Sequence, residues 1–407
     1  MTKRRAARIV ALVLGLSSGA TLLGAQVRAA PPGAILTENV PAPPTQDYLA
    51  YVASESVDRI ALIRFGPRGT RIDHEVTVGI MPTDPDGPHG LALSPDGTHW
   101  FVSTAHGTPF GRLWKYGTAT DRVEGNVILG NFPATLQISP DGYYAYVVNF
   151  NLHGEMVTSD VSVVAVDEMV EIARIPTCTM PHGSRFNGAG TKHYSACMMD
   201  EMLVEIDTRQ LAVSRHFFLT KGQEMGMIGA PPRRATGAST SHELGGHGME
   251  MPKPGDVSCS PTWAQPTPDG SRVFVACNKS SEIVEIDVDG WSVRRRIPAG
   301  NGVYNLAITH DGAKLVATNK RDQSVSVFDA VSGKELGRIK TTRRIVHGAA
   351  ISTDDRYAFI SCEGTGSEPG TVDVIDLVAL QRVGTVNVGQ QAGGIDFWKV
   401  QPASATK

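Results

Sequence analysis

The stretch Pro88-His89-Gly90-Leu91-Ala92-Leu93-Ser94-Pro95-Asp96-Gly97, followed by Trp100-Phe101-Val102, has the pattern of a β-hairpin. A short apolar run, an Asp-Gly turn and a second apolar run are typical of two antiparallel strands. If each copy is numbered from the residue equivalent to His89, further copies begin at Ala134, His182, Thr262, Tyr304, His347 and Gly393. The spacings are 42 to 48 residues, except for one of 80 residues after His182. Recurrence at this period predicts a repeat protein.

The length of the repeat predicts a β-propeller. In most copies the first strand is followed by up to three more, and four strands in about 45 residues is the period of a propeller blade. Seven copies therefore predict an all-β fold, a seven-bladed β-propeller with four-stranded blades. The copy at Gly393 is truncated, and residues 49–52, 60–63 and 74–78 supply its missing strands. The N-terminal strands plus a C-terminal innermost strand would then close the ring and leave few open sheet edges.

Two features of the repeats carry a resemblance to a known family. Ser-Pro-Asp-Gly turns occur at 94–97 and 139–142, and strands end in Val147-Val148-Asn149 and Val316-Ala317-Thr318-Asn319. These copies resemble the YVTN-type β-propeller family over nearly the whole mature chain. The resemblance implies the propeller fold. It implies no particular activity, because that family includes many scaffold-like proteins.

The N-terminal residues are typical of an export signal. Basic residues come first, residues 9–23 are apolar, and small residues precede a cleavage site after Ala29. We interpret residues 1–29 as a signal peptide, with an uncleaved membrane anchor as the alternative. A Pro-rich lead-in at 30–46, one propeller at 47–400 and a tail at 401–407 follow. The expected location is periplasmic or secreted, with no integral membrane span after cleavage because no other segment is long and apolar enough.

The charge balance bears on the choice of partner. The formal net charge is −3, and charged residues make up 19% of the chain. No basic stripe interleaved with aromatic residues occurs, so we expect no nucleic-acid partner. A small molecule or another exported protein is the expected partner.

Three of the repeat-start positions are histidine: His89, His182 and His347, each followed by glycine. In a propeller this position lies where the chain enters the innermost strand, at the mouth of the central channel. The three are spread almost evenly around the ring, so their imidazoles could converge on one ion. Three imidazoles with an open fourth position suit zinc or copper. The alternatives are that each histidine caps a loop, or that they line a metal-free ligand pocket.

Sulfur near these histidines favours copper over zinc. Cys178, Met180 and His182 alternate along one extended segment, so they share a face. The long interval contains an insertion at about 218–255, in which we expect no regular strand or helix and in which His247, Met249 and Met251 alternate in the same way. Thioethers together with imidazoles in an oxidising compartment indicate copper. Packing is the alternative role for each single methionine.

The five cysteines suggest two disulfides. Cys197, Cys277 and Cys362 each end the second strand of a repeat, and Cys178 and Cys259 precede a repeat start on the same rim. The pairs Cys178–Cys197 and Cys259–Cys277 are therefore plausible in an exported protein, with Cys362 left free. Buried thiols or metal thiolates are the alternatives.

Arg185, Lys320 and Arg321 place cationic groups near the same rim. They could bind an anion, but solvated loop charges are the simpler interpretation.

Three functions remain open from the sequence. The first is metal binding at the channel mouth, with copper favoured and redox chemistry at an open coordination position. The second is a non-catalytic periplasmic scaffold that binds a partner. The third is a metal-dependent lactonase or lyase, which we rank last because the ring positions hold no Asp or Glu.

Overall fold

The computed structural model describes residues 41–80, 83–106, 110–233 and 258–403. The predicted signal peptide, most of the lead-in, and residues 234–257, which include the C-terminal part of the insertion, lie outside the described residues. The described part confirms the predicted all-β propeller, with seven antiparallel sheets.

The strands are numbered in chain order. The first three, which belong to the closing blade, are β1 (Gln46–Ser54), β2 (Arg59–Gly66) and β3 (Gly69–Thr77). Blades 1 and 2 contain β4 (Pro88–Leu93), β5 (His99–Thr104), β6 (Arg112–Gly117), β7 (Val123–Ile128), β8 (Pro133–Ile138), β9 (Tyr144–Asn149), β10 (Thr158–Ala165) and β11 (Val170–Thr179). Blades 3 and 4 contain β12 (Pro181–Phe186), β13 (Lys192–Cys197), β14 (Met202–Asp207), β15 (Ala212–Phe218), β16 (Met225–Ile228), β17 (Pro261–Pro266), β18 (Arg272–Cys277), β19 (Glu282–Asp287) and β20 (Ser292–Pro298). Blades 5 and 6 contain β21 (Val303–Ile308), β22 (Lys314–Asn319), β23 (Ser324–Asp329), β24 (Glu335–Lys340), β25 (Val346–Ile351), β26 (Tyr357–Cys362), β27 (Gly370–Asp376) and β28 (Gln381–Val388). Strand β29 (Ala392–Pro402) completes blade 7.

The two chain ends share blade 7, whose strand order is β29-β1-β2-β3. The innermost strands β4, β8, β12, β17, β21, β25 and β29 each contact the next one, and β29 contacts β4. The ring is therefore closed by a strand from the C-terminus paired with a strand from the N-terminus.

The Asp-Gly turns are held by their own side chains. In the turn that follows β4, Asp96 Oδ1 accepts hydrogen bonds from Thr98 N at 3.0 Å and from Ser94 Oγ at 2.6 Å. Gly97 has a φ of 69°, a conformation that glycine adopts without steric cost. The hairpin is thus encoded locally, by turn chemistry between two apolar runs.

Apolar packing occurs between blades rather than within a single core. Seven clusters of buried side chains lie one at each seam between neighbouring blades. Hydroxyls add hydrogen bonds across the seams near the channel: Thr262 Oγ1 donates to Tyr304 O at 2.8 Å, and Thr318 Oγ1 donates to His347 O at 3.0 Å. These bonds hold β17 against β21 and β22 against β25.

Blade 3 differs from the others because it has a fifth strand. We expected no regular structure in the insertion, but Met225–Ile228 forms β16, which pairs antiparallel with β15. An edge strand needs only backbone hydrogen bonds on one side, so the side-chain pattern that marks a buried strand is absent here. Ile228 is 91% exposed on this edge.

The structure contains both expected disulfides, Cys178–Cys197 and Cys259–Cys277. Cys362 is free and buried, and burial raises the pKa of its thiol. Within the described residues, no helix is long or apolar enough to cross a membrane.

Candidate functional site at the channel mouth

The residues at the channel mouth sit in β-bulges. His89, His182, Tyr304 and His347 are each the second residue of an innermost strand. At His89 the pairing moves from Pro88↔Thr104 to Leu91↔Val102, so one extra residue enters the inner strand. The same shift occurs in the other three strands. A bulge re-aims side chains locally, as is common beside functional sites.

The glycine after each histidine allows the inner strands to approach closely. A Cβ atom on Gly348 would lie 2.8 Å from the carbonyl oxygen of Gly393 and 2.8 Å from Ser361 Oγ. Neither contact is tolerable for a carbon atom, so only glycine fits between these strands. Glycine therefore follows each histidine because the neighbouring strands lie too close for a side chain at that position.

A carboxylate holds two histidines on one side of the mouth. Glu55, in the 3-10 turn Glu55–Val57 after β1, lies 2.9 Å from His89 Nδ1 and 2.5 Å from His106 Nε2. Burial by itself would raise the pKa of Glu55, but the two imidazoles lower it well below its usual range. The hydrogen bond to Glu55 raises the pKa of His106. Glu55 is thus a fixed negative charge, and it leaves His89 Nε2 buried without a hydrogen-bond partner.

His347 lies next to His89, with ring centroids 5.5 Å apart. Burial, and then the nearby Lys320, lower the pKa of His347 well below its ordinary value, so its imidazole is neutral. Its Nδ1 atom is buried and has no hydrogen-bond partner. Lys320 Nζ is 2.8 Å from Glu363 Oε1 and 4.3 Å from the centre of the Tyr304 ring. This side of the mouth therefore combines a neutral imidazole with a paired cation.

His182 has a different role because both of its nitrogens are occupied. Its Nδ1 atom is 2.9 Å from Thr262 O, and Tyr304 Oη is 2.9 Å from its Nε2 atom. The carbonyl can only accept, so Nδ1 carries the proton and Nε2 accepts from the tyrosine hydroxyl. Burial lowers the pKa of His182 to about 3. This arrangement ties blades 3, 4 and 5 together.

Apolar side chains line the rest of the mouth. Phe132, Phe150 and Met180 form one buried cluster, against which Met198 and Met199 pack. The ring of Phe132 contacts those of His89 and His106 at centroid distances of 5.4 and 5.0 Å. The expected thioether Met180 is therefore at this end of the channel, in a packing environment.

The geometry separates the expected metal ligands into groups. His89 and His347 are neighbours, and His182 reaches His347 only through Tyr304. No group of three or more His, Cys, Asp or Glu side chains that could hold a metal occurs in the described part of the chain. His247, Met249 and Met251 lie outside it. At the mouth, His89 Nε2 and His347 Nδ1 are buried and have no hydrogen-bond partner.

Several site residues were missed by sequence reasoning. Glu55, His106 and Glu363 each follow a strand that returns to the histidine rim, which the hairpin pattern could have revealed. The interpretation of Lys320 and Arg185 as solvated loop charges was wrong. Lys320 is paired with Glu363, and Arg185 lies on the inner strand β12 against the ring of Trp263.

Comparisons with known proteins support the fold alone. No protein-family model and no curated protein matches the chain. A structure of Kuenenia stuttgartiensis hydrazine synthase is 18% identical, with a TM-score of 0.57 over 77% of this chain and 90% of that one. A functionally unknown protein from Desulfotomaculum acetoxidans is 16% identical, with a TM-score of 0.61 over 86% and 99% of the two chains.

Proposed function

We propose that this chain is an exported β-propeller protein of the YVTN type that binds a copper ion at the histidine mouth of its channel. His89 Nε2 and His347 Nδ1 are the protein ligands. One observation carries the proposal: two buried imidazole nitrogens without partners lie on rings 5.5 Å apart. A metal–imidazole bond is about 2 Å long, so one ion can reach two rings at this separation.

The surroundings of the two rings support a metal ligand role. A ligating histidine commonly donates its other N–H to a carboxylate, which fixes the ring and raises its basicity. Glu55 is placed to accept in this way from His89 Nδ1. His347 is neutral, as a metal ligand must be, since burial and Lys320 keep its pKa low.

Copper suits this donor set better than zinc. Structural zinc sites use four protein ligands and catalytic ones use three, whereas two imidazoles are available here. The thioethers of Met180, Met198 and Met199 pack at the same mouth, and thioethers are soft donors of the kind that select Cu(I). The free coordination positions would accept a small molecule, and copper bound there would supply one-electron chemistry.

The experiment is metal analysis of full-length protein isolated from the periplasm, followed by Cu(I) titration against a chromophoric chelator. We expect one copper per chain. The double variant H89A/H347A should bind at least 100-fold more weakly, and Glu55→Gln about tenfold more weakly. His182→Gln should retain binding.

His310→Ala is the matched control. His310 is an exposed histidine in an Asp-Gly turn at the far end of the hairpins, where it pairs with Asp355. Its loss should leave copper affinity within twofold. Stoichiometric binding that survives H89A/H347A, or a preference for zinc, would contradict the proposal.

The lactonase or lyase alternative now has carboxylates at the mouth, which the sequence did not indicate. However, Glu55 pairs with His89 and His106, and Glu363 pairs with Lys320. Carboxylates held in this way are poor general bases because their charge is already neutralised. The scaffold alternative draws support from His182, whose bonds are structural. We rank both behind metal binding.

A further inference from the structure

A second polar zone lies deeper in the channel than the histidines. Three residues beyond each ring position, the inner strands carry a row made of Ala92, Gln137, Arg185, Gln265, Ala307, Ala350 and Asp396. Arg185 and Asp396 are the only charged members of this row. They come from blades 3 and 7, on different sides of the ring.

Arg185 is a cation without a counter-ion in contact. Its guanidinium lies 4.5 Å from the centre of the Trp263 ring, and Nη1 donates to Ser184 O at 2.8 Å. Among the described residues, no carboxylate oxygen lies within 4.0 Å of it. Burial lowers the pKa of Arg185 to about 10, so it remains charged at neutral pH. Arg185 is partly buried, and its guanidinium has no carboxylate in contact, which leaves a place for an anionic partner.

Asp396 does not fill that role. Its carboxylate accepts hydrogen bonds from Leu93 N at 2.8 Å and from Phe397 N at 2.9 Å. Burial raises the pKa of Asp396, and the charge of Arg185 lowers it without a hydrogen bond between the two groups. Its influence on Arg185 is therefore exerted at a distance.

A cavity opens at the end of the channel away from the histidines. Three members of this row, Ala92, Gln137 and Asp396, line it, whereas Arg185 does not. Its volume is about 770 Å³, and Gln137, Asp396 and Lys399 are among its lining residues. Gln137 Oε1 accepts a hydrogen bond from Phe186 N, the residue next to Arg185, at 2.7 Å. The volume is in the range of small-molecule sites.

We propose that Arg185 binds the carboxylate of a small organic acid, which reaches it from the turn end of the channel. A guanidinium forms two parallel hydrogen bonds to a carboxylate, a geometry that the stacked position over Trp263 leaves open. Asp396 disfavours anions of higher charge, so monocarboxylates should be preferred over phosphate. The site does not depend on the proposed copper ion.

The test is calorimetric titration of the full-length protein with butyrate in chloride buffer at constant ionic strength. We expect one site per chain. Butyramide, which has the same shape without the charge, and inorganic phosphate should each bind at least tenfold more weakly than butyrate. Absence of butyrate binding, or equal binding of phosphate, would overturn the proposal.

Variants locate the site. Arg185→Gln should weaken butyrate binding at least tenfold, and Arg185→Lys should have an intermediate effect. Lys399→Gln, which removes a cation at the mouth of the same cavity, should weaken binding less than Arg185→Gln does. Lys340→Gln, at an exposed lysine of the outer strand β24, is the control and should change affinity less than twofold. Loss of binding in Lys399→Gln but not in Arg185→Gln would contradict the assignment.

Two further measurements distinguish a loss of butyrate binding from a loss of stability and from a loss of copper binding. The melting temperature of ligand-free Arg185→Gln should equal or exceed that of the wild type, because an unpaired charge is removed. A clear decrease would make Arg185 a structural residue. Cu(I) affinity of Arg185→Gln should be unchanged, so the two proposals can fail independently.

Discussion

At the scale of single residues, the hydrogen-bond partners of each histidine determine whether its imidazole can bind a ligand. His89, His182 and His347 occupy equivalent positions in equivalent strands. Thr262 O and the Tyr304 hydroxyl occupy both nitrogens of His182, whereas His89 and His347 each keep one buried nitrogen unpartnered. The same residue type is therefore structural in one blade and a candidate ligand in two others.

Buried neutral histidines make the protein sensitive to acid. Burial lowers the pKa of His182 and of His193 to about 3, and that of His347 well below 6.5. In the unfolded chain the same imidazoles titrate near 6.5. Below that pH the unfolded state binds more protons, so stability is full above about pH 6.5 and falls as the pH decreases. Each histidine contributes up to about 1.4 kcal/mol per pH unit. His106, whose pKa is raised, acts in the opposite sense.

His193→Leu isolates one of these contributions away from the channel mouth. His193 is buried between Tyr146 and Phe186, and neither of its nitrogens has a partner. Denaturant unfolding at pH 7 and pH 5 should show a smaller loss of stability in the variant, by about 1 to 2 kcal/mol. His99→Ala, at a more exposed histidine, should leave the wild-type pH dependence intact. An unchanged slope in His193→Leu would disprove the assignment.

At the scale of elements, one carboxylate anchors the chain where it returns from the insertion. Glu201 lies in the turn between β13 and β14 and is fully buried. Its oxygens accept hydrogen bonds from the backbone N–H groups of Ser258, Cys259 and Ser260, at 3.1, 2.8 and 2.6 Å. These residues lead directly into β17. The turn of blade 3 thus sets the position of the first strand of blade 4.

Glu201→Ala should therefore be strongly destabilising. Three backbone N–H groups, that of Cys259 buried and those of Ser258 and Ser260 partly buried, would lose their acceptor. We expect the free energy of unfolding to fall by about 3 kcal/mol. Glu201→Gln, which keeps one acceptor oxygen, should lose about half as much. Guanidinium denaturation measures both. Glu124→Ala, which removes an exposed ion pair with His99, should change stability by less than about 0.5 kcal/mol. A comparably small loss in Glu201→Ala would refute the anchoring role.

At the scale of the whole molecule, stability depends on closing the ring. Strand β29 pairs with β1 from Ser54↔Ala392 to Gln46↔Pro402, and it contacts the inner strands of both neighbouring blades. Without β29, two interblade seams lose their innermost layer and β1 becomes an open edge.

A truncation ending at residue 391 should consequently lack a cooperative unfolding transition and expose apolar surface to a hydrophobic dye. A synthetic peptide of residues 392–402 should restore the transition, because a strand can be added in trans to an open sheet edge. The same peptide with every second residue replaced by lysine is the control and should not restore it. Cooperative melting of the truncated chain alone would show that closure by β29 is dispensable.

Much of this fold could be predicted because its signals are local. The hairpin from Pro88 to Trp100 is specified by two apolar runs and an Asp-Gly turn whose hydrogen bonds span only a few residues. Because this pattern recurs in seven copies, the same local signal predicts all seven blades. The disulfide pairs were also predictable, since both cysteines of each pair lie at strand ends on one rim. Strand β16 was missed because an edge strand needs no apolar alternation.

The sequence alone determined the propeller, its closure and the rim on which the histidines gather, because periodicity and turn chemistry act over short distances. Only the tertiary structure decided which imidazole nitrogens are free. Tyr304, 122 residues away, donates to Nε2 of His182, and Glu55, 34 residues away, accepts from Nδ1 of His89. Likewise, the position of Arg185 over Trp263 depends on the seam between two blades. Protonation and ligand capacity follow from such neighbours in space, which the spacing along one chain does not reveal.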